Sequence, residues 1–264
     1  AIHRGAQQEP YWKPFFDGFP PVQQWLGQVK PDVVVMFYND HGLNFFLDKM
    51  PTFAVGAAAQ YNNADEGWGI PTLPPFKGEV DLSWEIINHL VENEFDITTC
   101  QEMLVDHACT LPLKLFWPEG DCPVTVVPVC INTVQFPLPN AKRVFALGRA
   151  VGEAVAQWDS DKKVAFVASG GLSHQLEGER AGFINKDFDL KFLESLENNP
   201  AWATQFSIHE LVEKTGTQGI ELLAWLAMRS ALSAGDNSGV RKVHSNYHIP
   251  ISNTATGLLA LETY

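Results

Sequence analysis

The chain has 264 residues, 45% hydrophobic and 19% charged, with a formal net charge of −13. That describes an ordered, enzyme-sized chain with apolar side chains enough for a substantial core. The acidic balance excludes nonspecific binding to nucleic acid, and no apolar run approaches the roughly 18 residues that a membrane-spanning helix needs.

Val33–Tyr38 is a run of six apolar or aromatic residues, which predicts a strand buried on both faces and ended by Asn39-Asp40. His41 follows at the carboxyl end, where open α/β sheets collect ligands. Tyr61–Gly78 contains Asn62-Asn63, Asp65-Glu66-Gly67 and Pro71, Pro74 and Pro75, too long and irregular for a simple connection, so a lid or binding loop is expected. Trp84–Phe95 predicts a helix with Trp84, Ile87, Leu90 and Val91 on one side. Cys100, Cys109, Cys122 and Cys130 form no Cys-x-x-Cys pair, which argues against a zinc knuckle and for isolated thiols in a reducing cytoplasm.

A turn-rich link, Trp117–Pro123, leads into a strand at Val124–Val129, and Ala141–Gln157 is a helix. Val164–Ala168 is a third strand, followed by Ser169-Gly170-Gly171-Leu172-Ser173-His174, where glycine permits a sharp turn. Helices follow at Asp187–Glu197 and Gly219–Leu232. The last carries Ile220, Leu222, Leu223, Leu226 and Ala227, with Trp225 and Met228 widening the face, so burial on most sides is expected. The alternation predicts an α/β fold: a central, mostly buried sheet flanked by helices, with the active site at the strand C-terminal ends. No linker divides the chain, so residues 1–264 read as a single domain.

Four residues stand out, each with a bland and a chemical reading. His41 caps a strand or points into a cleft, with Asp40 able to orient a ring. His174 is a turn histidine or an acid/base, since imidazole titrates near cellular pH. His107, in Val105-Asp106-His107-Ala108-Cys109, is part of a polar loop or of a site. Glu221 is a carboxylate stabilised by a helix N-terminus or a metal ligand. His3, His89, His209, His244 and His248 have weaker contexts. Nucleotide-binding, serine-hydrolase and zincin signatures are absent from the sequence.

Together, several segments resemble the class III (LigB-type) extradiol dioxygenases: Phe37-Tyr38-Asn39-Asp40-His41, Ala64-Asp65-Glu66-Gly67-Trp68-Gly69, Val105-Asp106-His107-Ala108-Cys109-Thr110, Gly170-Gly171-Leu172-Ser173-His174-Gln175-Leu176, Arg180-Ala181-Gly182-Phe183-Ile184-Asn185-Lys186, Gly219-Ile220-Glu221-Leu222 and Ile249-Pro250-Ile251-Ser252-Asn253-Thr254-Ala255. Within that family the resemblance runs to the β subunits of protocatechuate 4,5-dioxygenases, with gallate dioxygenases as nearby relatives. It implies a non-haem Fe(II) site of two histidines and one carboxylate. His41 matches the second metal histidine, Glu221 the carboxylate, His174 the catalytic acid/base and His107 the histidine that interacts with bound oxygen. Ser252 and Asn253 match residues near the substrate carboxylate and argue for protocatechuate over gallate.

The family's first metal histidine sits in a Ser-His-x-Pro segment at the end of a first strand. Gly5–Trp12 aligns with the stretch just after that segment and His3 falls too late for it, so the expectation is a first strand and ligand missing from this chain. The implied reaction is extradiol cleavage of a catecholic acid by O2, giving 4-carboxy-2-hydroxymuconate semialdehyde from protocatechuate. The alternatives are gallate or 3-O-methylgallate cleavage, or a metal-free, non-catalytic subunit of a heteromeric dioxygenase. The implied partner is a small helical α subunit in an α2β2 assembly, in the cytoplasm, with no nucleic acid and no membrane.

Overall fold

In the computed structural model, which describes residues 4–67, 69, 72–234, 239–250 and 253–264, the run Val33–Tyr38 forms strand β1 with all six residues buried. His3, Trp68 and Ser252, singled out from the sequence, lie outside the described residues. Alternate residues of β1 feed two different cores. Val33, Val35 and Phe37 pack with residues of helices α5 (Ala141–Gln157) and α8 (Leu222–Leu232). Val34, Met36 and Tyr38 pack with Ala108, Cys109 and Leu113 of α4 (His107–Phe116). A strand covered on both faces needs a continuous apolar run, not an alternating one.

β1 pairs in parallel with β7 (Thr125–Ile131) and with β8 (Val164–Ala168). β2 (Phe53–Gly56) runs antiparallel to β7 and β5 (Thr98–Cys100) parallel to β2, giving a five-stranded mixed sheet of order β5-β2-β7-β1-β8. The fold is α/β, as the alternation predicts. The loop expected over Tyr61–Gly78 is tied down at both ends, because β3 (Gln60–Asn63) and β4 (Phe76–Lys77) form a small sheet with β6 (Leu104–Val105).

Helix α3 spans Val80–Glu92, four residues ahead of the predicted start. Its buried side is Leu82, Ile86, Ile87 and Leu90, whereas Trp84 and Val91 are exposed. Ile87 and Leu90 alone fit two helical phases, and only the sheet selects one. Helices α1 (Lys13–Phe16) and α2 (Phe19–Val29), helices α6 (Lys186–Asn198) and α7 (Ile208–Thr215), and the hairpin of β9 (Val240–His248) with β10 (Thr256–Thr263) complete the frame. Pro20 and Pro21 sit in the first turn of α2, where a missing N–H costs nothing.

Every residue from Leu222 to Ala231 is buried, because α5 lies against α8 along a glycine seam. A Cβ on Gly148 would stand 2.1 Å from the Ala227 carbonyl oxygen, and one on Gly152 would stand 2.2 Å from that of Ala231. Gly148→Val should therefore push the helices apart and destabilise the protein by about 1–3 kcal/mol. The check is urea unfolding, with a lower midpoint at unchanged slope.

The outer side of β8 carries no strand among the described residues. It faces an apolar groove of about 440 Å³ walled by α2, α8 and β10, including Phe19, Leu26, Trp225 and Leu258. No described helix is long and apolar enough to cross a membrane.

Candidate active site

The parallel pairing of Phe37 with Ala168 brings the ends of β1 and β8 together, and Ser169 N–H donates to the Phe37 carbonyl at 3.0 Å. Asn39–His41 and Ser169–His174 therefore leave the sheet side by side. Glu221 reaches the same place from the short 3-10 turn Gly219–Glu221 that opens α8. Its Oε2 accepts the Gly171 N–H at 2.7 Å, and its Oε1 lies 3.4 Å from both His41 Nε2 and Asn39 Nδ2. His174 Nε2 lies 4.0 Å from Glu221 Oε2.

The double glycine does more than turn the chain. Gly170 has φ +132, and a Cβ there would meet Glu221 Cβ at 2.7 Å; one on Gly171 would meet the His174 ring at 2.4 Å. Side chains at these positions would displace the two groups they flank.

Each imidazole is oriented through Nδ1. His174 Nδ1 donates to the Leu172 carbonyl at 2.8 Å, and a carbonyl only accepts, so the neutral ring carries its lone pair on Nε2. His41 Nδ1 donates to Asp106 Oδ2 at 2.8 Å, and the His41 main-chain N–H donates to the same oxygen at 2.9 Å. His107 Nδ1 lies 2.7 Å from Glu66 Oε2, and the His107 ring stacks on His41 with centroids 4.3 Å apart.

The Asp-His pairs of the sequence are thus crossed in space. Asp40 does not orient a ring; its carboxylate gathers the N–H groups of Gly42, Leu43, Asn44 and Phe45 and shapes the turn after β1. Asp106 serves the His41 ring, 65 residues away, while the His107 ring meets Glu66. Asp106 also caps α4 by accepting the Ala108 N–H at 3.0 Å.

Burial disfavours a charge on His41, but the bonds to Asp106 and Glu221 outweigh it and raise its pKa to about 10. Burial alone would raise the Glu221 carboxyl. The hydrogen bond from His41, with the charges of His174 and His41, outweighs it and holds the group below the usual carboxylate range. A buried carboxylate facing an imidazole nitrogen already oriented through its other nitrogen calls for a cation, and a proton on His41 answers that need when no metal is bound. Buried Asn39 adds an Oδ1 atom with no partner among the described residues beside the same atoms. These donors fit a divalent metal.

His41, Asp106 and His107 also bring ligand atoms within 4.8 Å of one another. Asp106 is the weaker ligand, since its two oxygens already accept three N–H groups, the arrangement of a residue that orients a metal-binding histidine. Asp106→Asn retains a good helix cap but should cost roughly 10–100-fold in metal affinity, measured by competition with a chelator.

Asn253 precedes a segment paired with the His174 turn. Thr254 forms an antiparallel bridge with His174, and the Ala255 N–H donates to the Ser173 carbonyl at 3.1 Å. Ser173 is fixed in turn by buried Asp189, which accepts its N–H at 2.9 Å, its hydroxyl at 2.6 Å and the Tyr247 hydroxyl at 2.9 Å. Asp106, Glu66 and Asp189 are the residues that sequence reasoning missed as site supports. Asp106 and Glu66 lie in segments that carry the family resemblance, whereas Asp189 left no such signal.

An oriented histidine and a carboxylate fit to hold a metal thus stand beside a second imidazole whose lone pair lies on Nε2. The family described as the catalytic LigB subunit of aromatic ring-opening dioxygenase matches residues 1–257. The chain belongs to this family, the LigB-type extradiol dioxygenases. It is 38% identical to gallate dioxygenase of Pseudomonas putida over 200 residues, covering 75% of this chain and 57% of that protein. It is 29% identical over 275 residues to the 2,3-dihydroxyphenylpropionate/2,3-dihydroxicinnamic acid 1,2-dioxygenase of Azotobacter vinelandii, covering 86% and 84%. The Rhodococcus protein of the same name is 35% identical over 156 residues, covering 59% and 48%. The match therefore spans little more than half of the gallate enzyme's length.

Proposed function

We propose that this chain opens the ring of a carboxylated catechol with O2, next to the diol, at an Fe(II) ion held by His41 and Glu221. The observation that carries the reading is the convergence of His41 Nε2, Glu221 Oε1 and His174 Nε2 at the carboxyl ends of β1 and β8. Fe(II) would supply the electronic coupling that lets triplet O2 react with a singlet catechol. His174 Nε2 takes a phenolic proton and returns it as the ring opens, while the Leu172 carbonyl keeps the other nitrogen protonated. His107, stacked on His41, offers an imidazole to the reacting oxygen atoms. Ser252 and Asn253 receive the substrate carboxylate.

Protocatechuate is the substrate that the Ser252-Asn253 pair favours, with 4-carboxy-2-hydroxymuconate semialdehyde as product. Gallate is the second reading, favoured by the 38% identity to a gallate dioxygenase. Oxygen uptake by Fe(II)-loaded protein with protocatechuate, gallate, 3-O-methylgallate and 2,3-dihydroxyphenylpropionate decides between them. No uptake with any of the four would sink the activity itself.

The loops leaving β1, β7 and β8 expose Phe46, Leu47, Phe136 and Leu176, apolar surface suited to a separate small helical subunit in a cytoplasmic α2β2 assembly. Light scattering with and without a co-expressed candidate subunit tests that assembly.

A further inference from the structure

The Asp65-Glu66-Gly67 motif has no part in the chemistry above, yet Glu66 is among the most tightly engaged side chains near the site. It accepts the His107 main-chain N–H on Oε1 at 2.7 Å, and His107 Nδ1 lies 2.7 Å from its Oε2. Though it stands on a loop, its side chain is only 11% exposed. His107 is the first residue of α4, so its N–H is one that the helix leaves without an internal partner, and the helix dipole favours a carboxylate there.

Strand pairing delivers Glu66 to this place. Asn62 and Asn63 of β3 pair in parallel with Leu104 and Val105 of β6, and the Ala64 N–H donates to the Val105 carbonyl at 2.9 Å. The chain before Glu66 is thereby zipped to the chain before Asp106-His107. An Asp65 Oδ1 bond to the Gly67 N–H at 2.9 Å then turns the loop over the helix end. The result parallels its neighbour, since Asp106 grips His41 by main-chain and ring nitrogens just as Glu66 grips His107. Two attachment points fix both the place of the residue and the rotation of its ring.

We propose that Glu66 is a positioning residue that holds His107 as the Nδ1–H tautomer against His41. The inference rests on the proposed ring opening for its kinetic consequence, but not for the grip itself. A glutamine at this position can accept from one of the two N–H groups but turns an amide N–H toward the other. Aspartate keeps the charge on a shorter arm.

The grip is read by nitrogen NMR of ¹⁵N-histidine-labelled, metal-free protein, comparing wild type with Glu66→Gln, Glu66→Asp and Glu66→Ala. His107 should show the Nδ1–H tautomer in wild type and a mixture in the Gln and Ala variants. In the Fe(II)-loaded full chain, kcat per bound iron should fall roughly tenfold or more in Glu66→Gln. KM for the aromatic substrate and iron stoichiometry should stay within about twofold, and Glu66→Asp should recover part of the loss. An unchanged His107 signal in Glu66→Gln, or an unchanged kcat per iron despite a lower melting temperature, would reduce Glu66 to a helix cap and overturn the proposal. If wild-type protein opens no catechol ring, the proposed function falls, and the NMR comparison still decides whether Glu66 sets His107.

Discussion

Replacing His174 with phenylalanine should lower kcat by about 10²–10⁴-fold, the usual worth of a positioned acid/base, while bound iron stays near the wild-type level. The split follows from geometry. The Nε2 atom of His174 is 4.0 Å from Glu221 Oε2, whereas His41 Nε2 approaches Glu221 Oε1 at 3.4 Å, so His174 borders the metal position without being needed to fill it. The ring is buried, and its Nδ1 bond to Leu172 holds it in place. Phenylalanine keeps most of that packing volume and loses both nitrogens. Turnover per bound iron, with iron measured on the same sample, checks the result. Wild-type-like turnover would remove His174 from acid–base chemistry, and loss of iron would make it a ligand.

Glu221→Ala should abolish iron retention, and Glu221→Gln should weaken it strongly. Glutamine is the sharper probe, because its carbonyl still accepts the Gly171 N–H that Glu221 Oε2 accepts at 2.7 Å. What it removes is the charge, the only ligand charge in the proposed His41–Glu221 pair. A neutral oxygen attracts a divalent cation far less in a low-dielectric interior. Iron stoichiometry after desalting is the measurement, with circular dichroism confirming the fold. Full iron occupancy in both variants would contradict the ligand assignment and redirect attention to His41, Asp106 and His107, whose ligand atoms lie within 4.8 Å of one another.

Strand β1 was legible because a doubly covered strand must be apolar at every position, and β8 because its five residues are all apolar though only half-buried. Helix α3 was legible only in part, since Trp84 and Val91 fit an apolar stripe that the sheet does not use. Helices α2 and α4, not expected from the sequence, carry Pro20, Pro21 and Pro112, a residue type that local propensity disfavours within helices. The first two stand at a helix start, and Pro112 lies within the helical span of α4.

Of the site, local sequence determined that His41 and His174 follow apolar strands, that glycines precede His174, and that Glu221 opens a predominantly apolar helix. Family resemblance then gave those residues roles. Tertiary structure alone decided the partners. Asp40, adjacent to His41, turns to backbone N–H groups, and Asp106, 65 residues away, takes the His41 ring. Glu66 takes His107 because β3 pairs with β6. The physical reason is that a hydrogen bond depends on separation in space, which the chain sets only after strands register and helices pack. A side chain's chemical type is written in the sequence, but the group it meets is chosen by the fold.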